Sequence, residues 1–194
     1  MKKDLLIALN VSLLTLVLTG GLYPLLVTGT SSLLFPHQAS GSLIQDEMGK
    51  VIGSKLLSQK FSNPAYFFPR PAAENKGYNG IASGGSNLAS TSKILILQIQ
   101  ERISFIKEIN SAPIPLDLVT TSASGFDPHI SIDAALWQAP QVAIHRKIPL
   151  KQVITLINSM KELPLFYILG EPRVNVLMLN LALDHSVGSP EAMP

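Results

Sequence analysis

Histidines, carboxylates and serines are the groups of this sequence that could do chemistry, and their spacing matches no common metal site. The four histidines are His37, His129, His145 and His185. No two of them lie four residues apart, as the ligands of a helical zinc pair do. Asp127 and Asp133 flank His129, but Asp-Pro at 127–128 is typical of a turn, and Asp133 suits the first turn of a helix. We therefore predict no metal site.

A catalytic nucleophile is equally difficult to place. The sequence has no cysteine, which excludes thiolate catalysis, disulfides and iron–sulfur ligation. The serines of Ser122-Ala123-Ser124-Gly125 lack the first glycine of a G-x-S-x-G elbow. The formal net charge of +2 gives no bulk electrostatic argument for nucleic acid as a partner. We predict no catalytic residue.

The N-terminal part of the chain is strongly apolar. No Asp, Glu, Lys or Arg occurs from residue 5 to residue 45, and 15 of the 22 residues of Leu5–Leu26 are apolar. A helix of that length measures about 33 Å, enough to cross a bilayer core. The alternative is a cleaved signal peptide, but the run is longer than a typical signal core and no clear A-x-A site follows it. We favour an uncleaved transmembrane helix.

Charge asymmetry around this helix predicts its orientation. Two lysines precede it, and no lysine or arginine follows before Lys50, so the N-terminus is expected in the cytoplasm of a single-pass inner-membrane protein. The chain is predicted to consist of five segments: a cytoplasmic N-terminus at 1–4, the membrane helix at 5–26, an exit segment at 27–34, an exported domain at 35–185 and a disordered tail at 186–194.

Two adjacent glycines near the end of the apolar run suggest a helix–helix contact. Gly20 and Gly21 would let a second membrane helix approach closely. Tyr23 suits the membrane interface, and Pro24 is expected to bend the exit of the helix. We predict that these four residues contact a membrane partner; the alternative is that they merely end the helix.

A glycine-rich run in the exported part is the one candidate for nucleotide binding. It comprises Ser83, Gly84, Gly85, Ser86 and Asn87, just before a predicted helix, where backbone amides can cradle a phosphate. It is not a Walker A loop, because no Gly-Lys-Ser/Thr follows. We favour a structural turn whose glycines need a positive φ, since the predicted topology places the run where no nucleotide pool exists.

The remainder of the exported part alternates helical and extended patterns. Helices are predicted at 92–109, 131–146, 149–160 and 176–184, and short strands at 116–121 and 166–169. Ser131 and Asn175 suit the N-caps of the second and fourth helices, and Pro149 suits the first position of the third. The predicted fold class is an α+β exported domain anchored by one N-terminal transmembrane helix.

Several short motifs occur in order along the chain. They are Thr19-Gly-Gly-x-Tyr-Pro-Leu25, Gly41-Ser-Leu-Ile44, Gly53-Ser-x-Leu-x-x-Gln-x-Phe61, Tyr66-Phe-x-x-Arg-Pro71, Ala82-Ser-Gly-Gly-Ser-Asn-Leu88, Asp117-Leu-Val-Thr120, Ser122-Ala-Ser-Gly-x-Asp127 and the run from Val174 to Asp184. Taken together, they resemble one known family, the C subunit of the Kdp potassium-transporting ATPase. The sequence departs from the family pattern at Gln141, where the family usually has arginine, and at Ala72-Ala73 and Thr91-Ser92.

This resemblance implies a non-hydrolytic accessory subunit of an ATP-driven, high-affinity potassium importer. The implied partners are a channel-like potassium-binding subunit, a P-type ATPase subunit, a small fourth subunit and the lipid bilayer, with no nucleic acid. The family member has been described as a catalytic chaperone that raises ATP affinity, and its Ser-Gly-Gly run has been likened to a transporter signature loop. The alternative is an independent membrane-anchored exported hydrolase or binding domain.

Overall fold

The protein is described here by a computed structural model that covers residues 1–46, 48–73, 78, 82–107 and 109–190. It forms two compact units, residues 1–54 and residues 55–194. The described residues include helices and two small sheets, so the mixed helix and strand content is as predicted. The exported orientation stays a prediction.

A single long helix begins the first unit. It consists of α1 (Lys2–Val17), a π-helical turn (Leu18–Leu22) and α2 (Tyr23–Leu34). These 33 residues are apolar and long enough to cross a membrane. At 1.5 Å per residue the helix is about 50 Å long, more than the bilayer core of about 30 Å. The exit segment predicted at 27–34 is therefore helical.

The π-helical turn explains how Pro24 fits inside this helix. Proline lacks the amide hydrogen and its ring crowds the carbonyl four residues earlier, which is that of Gly20. The wider turn at Leu18–Leu22 ends two residues before the proline, and the helix continues for ten residues beyond it. The alternative that the two glycines end the helix is therefore wrong, and the bend expected at Pro24 stays a prediction.

A short helix and a hairpin complete the first unit. Helix α3 (Pro36–Ala39) precedes β1 (Leu43–Gln45), which pairs antiparallel with β2 (Val51–Ser54). The carboxylate of Asp46 accepts hydrogen bonds from the amides of Met48 and Lys50, both at 2.9 Å. This contact closes the turn between the strands.

The second unit contains those helices and strands of the predicted exported domain that follow residue 54. Its elements are α4 (Lys93–Lys107), a 3-10 turn (Leu116–Leu118), β3 (His129–Ser131), α5 (Ile132–Arg146), α6 (Leu150–Ser159), β4 (Arg173–Asn175) and α7 (Val176–Val187). Strands β3 and β4 pair antiparallel, with Ile130 opposite Val174.

The predicted helix caps are confirmed by their hydrogen bonds. The Ser131 hydroxyl accepts from the amide of Ala134 at 3.0 Å, and the Asn175 side-chain oxygen accepts from the amide of Met178 at 3.1 Å. Pro149 lies one residue before the first helical position of α6. Helix α7 includes the first two residues of the predicted tail, 186 and 187, and residues 191–194 lie outside the described residues.

Both strands predicted from short apolar runs are wrong. Residues 116–118 form a 3-10 turn after Pro115, and the Asp117 carboxylate accepts a hydrogen bond from the Ser131 amide at 2.7 Å. Residues 166–169 form a tight loop, in which Phe166 and Tyr167 have φ of 54° and 62°. A positive φ is incompatible with an extended strand, so local apolar composition was misleading at both places.

The core of the second unit includes Phe67, whose backbone pairs with no strand among the described residues. Phe67 is fully buried, and its amide and carbonyl bond the side chain of Asn180 at 2.9 and 3.0 Å. The amide and carbonyl of Phe68 bond the side chain of Gln138 in the same way, at 2.7 and 3.2 Å. Two buried amide side chains thus replace the neighbouring strand that this backbone lacks.

Candidate functional site

The glycines predicted to contact a partner lie on an open face of the long helix. A shallow groove is lined by Leu16, Val17, Gly20, Gly21, Leu22 and Leu25. A Cβ atom built on Gly20 would lie 3.4 Å from the Leu16 side chain, and one built on Gly21 would meet nothing within 4 Å. The fold of this unit therefore gives Gly21 no steric reason to lack a side chain.

Glycine is also a costly residue inside a helix. Glycine is less favourable than alanine in a helix by about 1 kcal/mol, because its backbone has more conformational freedom in the unfolded chain and loses more of it on folding. Here two glycines occur together in a continuous helix. A second helix packed close against Gly20 and Gly21 would account for them, since small residues allow membrane helices to approach.

The glycine-rich run at 83–87 packs against the segment Ser122–Gly125. The Gly84 amide and the Ser83 hydroxyl both donate to the carbonyl of Ser124, each at 2.9 Å. A Cβ on Gly85 would lie 3.0 Å from the carbonyl oxygen of Ala123. The run thus forms a close backbone contact between two distant parts of the chain.

The run precedes helix α4, which begins at Lys93, one residue after the predicted start at 92. The geometry differs from the expected one at Gly85. Gly85 has no positive φ; the residue of the run that does is Asn87, with φ of 53°. The need for glycine at position 85 comes from close approach of two backbones, and the expected reason, a turn with positive φ, is wrong for it.

A network of charged side chains, which sequence reasoning missed, surrounds the β3–β4 pair. His129 lies between two carboxylates, with Nδ1 3.2 Å from Asp127 and Nε2 3.4 Å from Glu162. Arg70 lies 3.4 Å from Asp127. Glu162 also pairs with Lys55 at 3.3 Å and Arg173 at 3.2 Å. These residues are spread over more than a hundred positions, so only the fold brings them together.

The network lowers the pKa of both carboxyl groups. The hydrogen bond from the His129 side chain is the largest cause for Asp127, and it outweighs the opposing effect of burial. Burial alone would raise the pKa of Glu162, but hydrogen bonds from Lys55 and Arg173 lower it overall. Asp127 and His129, which are close in the sequence, also contact each other, whereas Asp133 lies in the first turn of α5, as predicted. Within the described ranges, no group of three metal-ligating side chains could hold an ion.

An apolar cleft of ≈ 510 Å³ lies on the second unit beside α4. Its walls include Phe61, Phe68, Phe105, Trp137, Tyr78, Arg102 and Gln141. The Tyr78 hydroxyl donates to the carbonyl of Arg70 at 2.7 Å, and burial raises the pKa of Tyr78 to about 12. The tyrosine is thus a neutral hydrogen-bond donor at physiological pH.

The cleft could accept an apolar side chain. Gln141 lies in its wall, at the position where the family pattern has arginine.

These features define the class of protein: a chain with one long apolar N-terminal helix and a unit of helices and short strands that contains internal ion pairs. The family described as "KdpC: K+-transporting ATPase, c chain" matches residues 5–185. The chain therefore belongs to the KdpC family. It is thereby a subunit of a potassium-transporting ATPase and is distinct from the hydrolytic chain.

Curated relatives agree with this family. A potassium-transporting ATPase KdpC subunit of Myxococcus xanthus is 48% identical over 198 residues, which cover 100% of this chain and 94% of the relative. The KdpC subunit of Rhodospirillum rubrum is 50% identical and covers 87% and 88% of the two chains. That of Yersinia pseudotuberculosis is 50% identical and covers 91% and 90%.

The contact at Gly85 leads to a stability prediction. Replacing Gly85 with alanine should lower the free energy of unfolding by about 1–3 kcal/mol, because the added methyl group would be forced against the backbone of Ala123. Thermal melts of the full chain in detergent measure this, with Ser86→Ala as the matched control. Saturable ATP binding by the wild type that Gly85→Ala abolishes without lowering its melting temperature would contradict the structural role.

The lowered pKa of Glu162 leads to a pH prediction. A carboxyl group whose pKa is lower in the folded state stabilises the fold above its unfolded pKa, and this contribution disappears as the pH falls through the folded value. Glu162→Gln should therefore lower the melting temperature at neutral pH, and its difference from the wild type should disappear as the pH falls through the lowered pKa of Glu162 in the folded state. Glu171→Gln, which removes an exposed carboxylate nearby, is the control. A constant difference between Glu162→Gln and wild type at every pH would refute the prediction.

Proposed function

We propose that this chain assembles and stabilises a high-affinity, ATP-driven potassium import complex as its membrane-anchored accessory subunit. The match to the KdpC family over residues 5–185 supports this role, and the relatives named above are potassium-transporting ATPase KdpC subunits. Potassium would be transported by the complex as a whole. The alternative of an independent exported hydrolase loses its support, because the family match covers both the apolar helix and the second unit.

The long N-terminal helix is the part of the chain that we assign to assembly within the membrane. The supporting observation is the open face at Gly20 and Gly21, in a helix that continues to Leu34. Tyr23 and Pro24 lie next to this face and would flank a packed partner helix. The candidate partners are the channel-like subunit, the P-type ATPase subunit and the small fourth subunit.

A chaperone effect on ATP affinity would act through this helix. Our proposed topology separates the second unit from cytoplasmic ATP, and the run from Ser83 to Asn87 is engaged with the backbone of Ser122–Gly125. We therefore propose that the run holds the fold together. The nucleotide would bind the ATPase subunit, and this chain would influence it through the packed membrane helices.

Assembly is tested by filling the glycine face. Gly21→Leu should leave the chain in the membrane but reduce recovery of the four-subunit complex in mild detergent, because the larger side chain holds two helix backbones apart. Gly20→Leu should act likewise. Ala8→Leu, a small-to-large change elsewhere on the same helix, is the control. Recovery equal to wild type for both glycine variants would refute the contact.

Topology is tested with single cysteines, since the chain has none of its own. A cysteine at the exposed position Ser186 should react with a membrane-impermeant thiol reagent in intact cells, because the positive-inside rule places the second unit outside. Ser12→Cys, within the apolar helix, should stay unlabelled and serves as the control. Labelling of position 186 only after lysis would contradict the orientation, and a mature N-terminus near residue 22 or 30 would contradict the anchor.

A further inference from the structure

The loop at Leu165–Leu169, here called the apolar tip, is the feature that the proposed function leaves unexplained. Its five consecutive residues are all large and apolar, and each is between 62% and 81% exposed. No charged residue occurs between Glu162 and Glu171. Isolated exposed apolar residues are common on protein surfaces, but five in succession form a patch that needs an occupant.

The backbone holds this tip outward. Leu165 and Leu169 pair across the base of the loop, and Phe166 and Tyr167 adopt the left-handed conformation, which is uncommon for aromatic residues. Leu118 shows that apolar loop residues of the same unit can be buried. The conformation of the tip instead directs its side chains to the surroundings of the domain.

The hydrogen bonds of the tip suit an environment with little water. The amide of Leu165 donates to the carbonyl of Leu169 at 3.1 Å, and those of Ile168 and Leu169 donate to Leu165 at 3.2 and 3.0 Å. The amide of Tyr167 donates to the carbonyl of Pro164 at 2.9 Å. Four of the five tip amides are thus satisfied within the loop, which lowers the cost of placing this backbone in a bilayer interface.

We propose that the apolar tip inserts into the interface of the lipid bilayer. The inference rests on the membrane anchor of the proposed function. Twenty residues, 35–54, connect the long helix to the second unit, and a chain of that length cannot exceed about 70 Å even when fully extended. The bilayer is therefore present at high effective concentration throughout the life of the protein. Phenylalanine, tyrosine and leucine are residues that partition into such interfaces.

The experiment uses the full-length chain, purified without other subunits and reconstituted in vesicles of phosphatidylcholine and phosphatidylglycerol. A nitroxide is attached to Ile168→Cys at the tip, and in the control to Ile144→Cys, which replaces another exposed isoleucine of the second unit. For each nitroxide, the collision rate with oxygen is divided by the collision rate with a polar nickel chelate. This ratio should be roughly tenfold higher at position 168 than at position 144, because an apolar environment excludes the chelate. Adding Phe166→Ser and Tyr167→Ser should lower the ratio at position 168 to that at position 144, because the label would then lie in water.

Three results would overturn the proposal. Equal chelate accessibility at positions 168 and 144 would show that the tip stays in water. Protection of position 168 only after the other subunits are added would make the tip a subunit interface. Failure of the chain to float with the vesicles would overturn both the anchor and the tip, whereas a floating chain with a water-accessible tip would overturn the tip alone.

Discussion

The second unit depends on how the buried backbone at Phe67 and Phe68 is satisfied. An extended segment in the core needs a hydrogen-bonding neighbour, because an unpaired amide or carbonyl away from water is costly. No strand lies beside it among the described residues; the side chains of Gln138 and Asn180 take that place. Helices α5 and α7, which carry these two amides, are therefore held at fixed positions on either side of one segment.

Other side chains next to this segment also make polar contacts with residues distant in the sequence. Arg146 donates to the carbonyl of Ala65 at 2.9 Å, pairs with Asp184 at 2.7 Å and lies 4.5 Å from the centre of the Tyr66 ring. The Tyr66 hydroxyl donates to Asp184 at 2.9 Å. Two-stranded sheets alone supply little stability, so the apolar core carries most of the unit, and these long-range polar contacts fix the segment against it. Many residues in the motifs that carry the family resemblance have such structural contacts.

The second unit contains polar contacts among charged side chains, and other parts of the surface are apolar. Asp127 contacts Arg70 and His129, and Glu162 contacts Lys55 and Arg173. Paired carboxylates with lowered pKa values stabilise a fold and are unsuited to general-acid chemistry at neutral pH. Two other surfaces are exposed and apolar: the glycine face of the long helix and the tip at 165–169. Both are surfaces through which a subunit can contact membrane components.

The sequence by itself determined the features that depend on neighbouring residues. The uncharged run after Asp4 predicts the long helix, and Ser131 and Asn175 predict their caps, because capping involves an amide only three residues away. Tertiary structure decided the remainder. Residues 116–118 have the composition of a strand but form a 3-10 turn, whose Asp117 accepts a hydrogen bond from the amide of Ser131, 14 positions later. A side chain at position 85 would meet the backbone of Ala123, 38 positions later. Contacts between such distant residues leave no periodic pattern in the sequence, so only the folded chain reveals them.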